Sequence, residues 1–195
     1  GTLRVVIAGA GAAGVATAKL LHAAGITDIV LVDTKGALSK ERGDLNDSKK
    51  ELVRLTNPRN VSGGLADVLV DADVFIGVSG PGTMTSTMVA TMAERAIVFA
   101  LSNPTPEILP EEAKKGGAVV IATGRSDFPN QINNALVFPG IFRGALDKGV
   151  KEITQETKVR AAKALAALVE KPTAGKIIPD VLDKRVVPAV AKSVR

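Results

Sequence analysis

The sequence predicts an α/β fold: a doubly wound, mostly parallel sheet with helices on both faces and a helical extension at the carboxyl end. Three observations predict it. A β-branched run at residues 3–8 (LRVVIA) flows into the glycine turn Gly9-Ala10-Gly11-Ala12-Ala13-Gly14 and then into an alanine-rich stretch. Short apolar runs recur at 28–33, 73–78, 96–101 and 118–122, each followed by small or polar residues and separated by helical or loop patterns. Strand-then-helix units at this spacing pair in parallel through crossovers, so the polar tips gather along one edge of the sheet. The expected architecture is Rossmann-like.

Each glycine of the turn has a physical task. Gly9 allows a tight turn out of the first strand, Gly11 lacks the side chain that would keep a pyrophosphate off the backbone, and Gly14 lets the helix pack on the strand. The phosphates would meet free N–H groups at the positive end of the helix dipole. The run 28–33 (DIVLVD) ends in Asp33, about twenty residues beyond the glycines, where such a unit places the carboxylate that accepts from the adenosine ribose. The bland alternative is a glycine-rich crossover that only packs.

The first helix is expected over 12–24, with Ala13, Ala16, Thr17, Leu20, Leu21 and Ala24 on its buried face and Gly25 as its stop. His22, the sole histidine, falls off that stripe and reads as surface. Residues 34–60 are polar, a loop around the adenosine end with a helix near 48–55. Here Asp33 repels a 2′-phosphate and favours NAD, while Lys35 or Arg42 would accommodate it and favour NADP; the carboxylate, at the strand end, is taken to decide. Further on, a short helix is expected over 65–70, a strand over 73–78 closed by Ser79-Gly80-Pro81-Gly82, and a helix over 85–93. The next strand, 96–101, is closed by Ser102-Asn103-Pro104, and the strand at 118–122 by Thr123-Gly124-Arg125. Asn103 stands before a proline that biases it toward extended backbone. It reads equally as a turn former and as an amide for a ribose or a carboxylate. Residues 128–134 bring more amides. Helices then follow at 135–146, interrupted at Pro139-Gly140, at 155–170 and at 181–194. The division expected is a dinucleotide-binding domain over 1–137 and a helical extension over 138–195.

Composition sets the remaining bounds. The chain has 195 residues and is 46% hydrophobic, ample for a buried core. Its net charge is +5, but the bases are interleaved with acids, and five Phe with no Tyr or Trp leave little for base stacking, which argues against nucleic acid. There is no cysteine, hence no disulfide or thiolate metal site, as suits a reducing cytosol. No run is long enough to cross a bilayer and no signal peptide is evident, so a cytoplasmic protein is expected.

The strings Gly9–Gly14 with Ala18-Lys19-Leu20-Leu21, Val32-Asp33-Thr34-Lys35-Gly36, the run 72–79 (ADVFIGVS) and the run 99–104 (FALSNP) together resemble the cofactor-binding domain of malic enzymes of the bacterial and archaeal type. The runs 122–131 (ATGRSDFPNQ) and 133–145 (NNALVFPGIFRGA) carry the resemblance most specifically. That family oxidatively decarboxylates L-malate to pyruvate and CO₂ with NAD or NADP and Mg²⁺ or Mn²⁺. The resemblance implies that Gly9, Gly11, Ala12, Ala13, Gly14 and Asp33 hold the adenosine diphosphate half, that Ser79 and Gly80 line the crevice, and that Asn133 approaches the nicotinamide. It implies that Asn103 and Asn134 contact substrate and the nicotinamide ribose, and that the enzyme is a homodimer or larger assembly.

The family's tyrosine acid, lysine base, malate-clamping arginine and metal carboxylates all precede the glycine turn, and this sequence starts eight residues before it and holds no tyrosine. The expectation is therefore no catalytic and no metal-ligating residue in this chain, with the amino-terminal catalytic domain as its missing partner. The alternatives are a stand-alone NAD-binding sensor and the cofactor domain of an amino-acid dehydrogenase.

Overall fold

A computed structural model describes residues 3–195, which divide into two compact units, one ending at Gly124 and the other spanning Arg125–Arg195. This division falls earlier than the one read from the sequence after residue 137. Leu136, assigned from sequence to the first domain, belongs to the apolar core of the second unit with Ile141, Leu165 and Val190.

The first unit is built on six strands. In chain order they are β1 (Val5–Ala8), β2 (Ile29–Asp33), β3 (Gly36–Ala37), β4 (Val74–Gly77), β5 (Ile97–Ala100) and β6 (Val120–Thr123). The spatial order is β3-β2-β1-β4-β5-β6. All neighbours pair in parallel except β3, which turns back on β2 with Asp33 opposite Gly36. Five helices accompany them: α1 (Ala12–Ala23), α2 (Asp47–Leu55), α3 (Leu65–Val68), α4 (Ser86–Val89) and α5 (Pro110–Lys115).

Alternation along the strands builds two cores. Val5, Ile7, Ile29, Leu31, Val74 and Ile76 face one side, where Ala18 of α1 and Leu52 and Val53 of α2 cover them. Val6, Ala8, Val30, Val32, Phe75 and Val98 face the other, beneath Val68 of α3, Val89 of α4 and Ala113 of α5. Because both faces are covered, the strands read as continuous apolar runs.

Three details differ from the sequence expectation. The covered face of α1 runs through Gly14 and Ala18, with Val15 and Leu21 half-buried, whereas Ala13, Ala16 and Ala24 are exposed. An alanine-rich helix carries too little contrast to say which small side chains turn inward. The edge strand β3 and the helix α5 were not expected; α5 starts at Pro110 with Glu111 and Glu112 in its first turn, a favourable helix start.

The second unit holds a 3₁₀ turn (Asn134–Leu136) and three helices, α6 (Phe138–Lys148), α7 (Gln155–Ala166) and α8 (Val186–Ser193). Pro139 does not interrupt α6: it lies in the first turn, where a missing N–H costs nothing. Gly140 and Gly144 let α8 approach, since a Cβ at Gly140 would stand 2.6 Å from that of Val190 and one at Gly144 would overlap the Ala191 carbonyl. Lys148 Nζ donates to the carbonyls of Ala191, Lys192 and Val194, closing the carboxyl end of α8.

Candidate dinucleotide site

The glycine turn lies where the strand order reverses, between β1 and its neighbours β2 and β4. The Gly9 N–H donates to the Val32 carbonyl at 2.9 Å, and the Val78 N–H donates to Ala8 at the same distance. Gly9 has φ +112°, and a Cβ there would come within 2.5 Å of the Val78 oxygen. At Gly14 a Cβ would overlap the carbonyl oxygen of Gly9, so helix and turn close on each other only through glycine.

Gly11 is the opposite case. A Cβ there would meet nothing within 4 Å, and Gly11, Ala12 and Ala13 are all exposed. No side chain caps α1 at Gly11. The first-turn amides of a helix point their hydrogens out of its end, so an open, uncapped, weakly positive cradle stands at the switch point of the sheet. A pyrophosphate fits such a cradle.

Asp33 closes β2 and is tightly held. Its Oδ1 accepts from the Lys35 amide at 2.9 Å and from Arg42 Nη1 at 2.7 Å, and its Oδ2 accepts from Lys49 Nζ at 2.5 Å. Partial burial would raise its pKa, but the bonds from Arg42, Lys49 and the Lys35 amide outweigh it and bring the pKa down to about 2. Arg42 is far from a solvated loop residue: its side chain is only 15% exposed, and Asp44, then Asp33, push its pKa upward. Lys35 pairs through Nζ with Asp44 at 2.9 Å, while Lys49, which the sequence reading passed over, reaches Asp33 from α2. Two carboxylates thus meet three cations.

Beyond β4 and β5 the tips are joined by a residue the sequence reading missed. Glu107 has no exposed surface. Its Oε1 accepts from the Ser79 amide at 2.9 Å and from Ser102 Oγ at 2.6 Å, and its Oε2 accepts from the Ser102 amide at 3.1 Å. A Cβ at Gly77 would collide with this carboxyl group. The signal available in the sequence was an acid between Pro106 and Ile108, both of which are buried. Ser79 is exposed, its Oγ 3.2 Å from that of Thr83, and Gly80 has open space over it. Asn103 is exposed beside them, and its Nδ2 lies so near Gly124 that a Cβ there would stand 2.6 Å away.

The second unit puts its amides to different uses. Asn130, buried with φ +57°, donates to the Ala174 carbonyl at 2.8 Å and accepts from the Ile177 amide at 3.0 Å, so it braces the chain locally. Asn133 Oδ1 accepts from the Ala135 amide at 2.9 Å and caps the 3₁₀ turn, while Asn134 is exposed. Among the described residues no three His, Cys, Asp or Glu side chains gather as a metal site. No helix among them is long and apolar enough to cross a membrane. His22 is half-buried rather than on the surface, its Nδ1 without a hydrogen-bond partner.

A Rossmann-like sheet with an open glycine turn at its switch point defines a dinucleotide-binding protein of the α/β class. Residues 2–194 match the family model described as "Malic enzyme, NAD binding domain". The chain belongs to the malic enzyme family. It is 54% identical to the bifunctional malic/malolactic enzyme of Bacillus subtilis over 99% of its length and 48% of that protein. It is 46% identical to the NADP-dependent malic enzyme of Halomonas elongata over 87% of its length and 40% of that protein. The crystal structure of the NAD-dependent malic enzyme of Thermotoga maritima superposes with a TM-score of 0.94 at 42% identity, over 98% of this chain and 51% of that one. The chain therefore spans about half the length of the relatives it matches or less. Neither a stand-alone sensor nor an amino-acid dehydrogenase finds support among them.

Proposed function

We propose that this chain is the dinucleotide-binding part of an enzyme that oxidatively decarboxylates L-malate to pyruvate and CO₂. The observation that carries the reading is the open cradle over Gly11, set at the switch point by two glycines that tolerate no side chain. In it the amides of Ala12, Ala13 and Gly14 bind pyrophosphate, and Asp33 with its cationic neighbours receives the adenosine ribose. Ser79 and Gly80 line the crevice, Asn103 offers its amide to the nicotinamide ribose and the substrate, and Asn133 and Asn134 serve the nicotinamide end and the substrate. When bound, the dinucleotide supplies a hydride acceptor. This chain's residues orient it and keep its phosphates bonded while the substrate is oxidised.

We propose NAD as the preferred form, from the carboxylate at the end of β2, with NADP accommodated through Arg42. No cluster of three or more His, Asp or Glu side chains among the described residues fits the Mg²⁺ or Mn²⁺ of the reaction. The acid, the base and the metal ligands are assigned to an amino-terminal domain of the enzyme. We extend the reading to a cytoplasmic homodimer. Phe138, Phe142 and Leu146, exposed at four-residue spacing on α6, supply apolar area for a second copy.

Calorimetric titration of the chain with NAD and NADP, followed by an assay with malate and Mn²⁺, tests this. Cofactor binding without turnover is expected. No binding of either dinucleotide would overturn the reading, and turnover by the chain alone would overturn the assignment of the acid and base elsewhere.

A further inference from the structure

We propose that Glu107 is the positioning residue of the nicotinamide side of the crevice, a buried carboxylate that clamps the tips of β4 and β5 and so fixes where Asn103 stands. The inference rests on the dinucleotide reading and extends it to a residue that touches no ligand itself.

The geometry is specific. Ser79 follows β4 and Ser102 follows β5, on adjacent parallel strands. A single carboxylate takes the backbone N–H of both, and the hydroxyl of Ser102 as well. Ser79 Oγ stands 3.4 Å from the same Oε1. The backbone of Glu107 adds a bond, its carbonyl accepting from the Met84 amide at 3.2 Å in the loop that follows Ser79. The carboxyl group has no exposed surface, and two N–H and two O–H groups, all from the serines that follow β4 and β5, satisfy it. The absent side chain at Gly77 makes the room for it. Asn103 is the next residue after Ser102, and on its far side the amide lies against Gly124, so the clamp and the close approach at β6 hold it between two strand ends. The β4–β5 ladder ends with the Leu101 N–H donating to the Gly77 carbonyl at 3.0 Å, and beyond it Glu107 links the two tips. The adenosine end, formed by Gly9 to Gly14 and Asp33, rests on the β4 tip at Val78, which its own N–H bond to the Ala8 carbonyl holds in place without Glu107.

The test compares the wild-type chain with Glu107→Gln, in which an amide N–H₂ must face donors, and with Ser102→Ala, which leaves the carboxylate in place. NAD and ADP are titrated separately, and amide hydrogen exchange is followed at Ser79 and Ser102 without ligand. The clamp predicts NAD affinity reduced about tenfold, the scale of one lost charge-assisted hydrogen bond, with ADP affinity changed less than about twofold. It predicts faster exchange at the two serine amides with Val6 and Val98 unaltered. The double variant should lose no more NAD affinity than the worse single one, since both act through one network.

Equal loss of ADP and NAD would mean a general loosening and overturn the proposal, as would unchanged NAD affinity in a folded variant. If Glu107→Gln does not fold, the same outcomes are read from Ser102→Ala. A wild-type chain that binds neither ligand overturns the dinucleotide reading instead, and the exchange rates then decide the clamp alone.

Discussion

The guanidinium of Arg42 spans the carboxylate of Asp33, with Nη1 2.7 Å from Oδ1 and Nη2 3.4 Å from Oδ2, while its Nε and Nη2 also hold Asp44. The acid expected to receive the adenosine ribose is thus already neutralised. Together with Lys35 and Lys49, the group carries one more positive than negative charge.

Replacing Arg42 with Ala removes that excess and releases part of Asp33. The ratio of NAD to NADP affinity should rise about tenfold, because a 2′-phosphate loses a cation and meets a less screened carboxylate. Titration of both dinucleotides checks it, and an unchanged ratio would show that this cluster does not select the cofactor.

Asp33→Ala should weaken NAD binding by about 1–2 kcal/mol through the loss of a charge-assisted acceptor. Full retention of affinity would remove Asp33 from the ribose site.

The same carboxylate makes the fold sensitive to acid. Its folded pKa of about 2 lies below the ordinary 3.8, so it contributes stability that is fully present above pH 3.8 and lost as pH falls through about 2. The contribution is about 2 kcal/mol at neutral pH. Urea denaturation of the wild type and Asp33→Asn should show that gap at pH 7 and its closure near pH 2; a gap independent of pH would contradict the pairing.

Gly11 and Gly14 should part company on substitution. Gly14→Ala forces overlap with the Gly9 carbonyl and should cost about 3 kcal/mol or more, or prevent folding. Gly11→Ala meets only open space and should change stability by less than about 1 kcal/mol while reducing NAD affinity at least tenfold. Denaturation curves paired with calorimetry separate the two.

Asn130→Ala removes a donor and an acceptor bond at a buried position with positive φ. A stability loss of about 2 kcal/mol is expected, with NAD affinity unchanged. Lost affinity at unchanged stability would make Asn130 a ligand contact instead of a brace.

What the sequence revealed was local. Residues 3–14 carry strand, turn and helix start in one string, and Asp33 follows at a fixed offset, so the first β-α-β unit could be read directly. What it concealed depends on partners far along the chain. The two-residue β3 exists because Gly36 and Ala37 find β2, and no pattern that short has a period. Lys49 and Glu107 look like ordinary charged residues until the fold brings Asp33 to one and two serine amides to the other. Pro139 and Gly140 read as a break because the sequence does not show Val190 arriving against the glycine.

The central place of β1 also bears on the order of assembly. Pairings β1–β2, β4–β5 and β5–β6 each join segments roughly two dozen residues apart, whereas β1–β4 joins segments roughly 70 apart and is the slowest to close on entropic grounds. The two halves of the sheet can form as separate βαβ folding units, and the cradle between them is completed only when the longest-range pairing forms. Competence to take up dinucleotide should therefore emerge with the last kinetic phase of refolding, after most of the helical signal has returned.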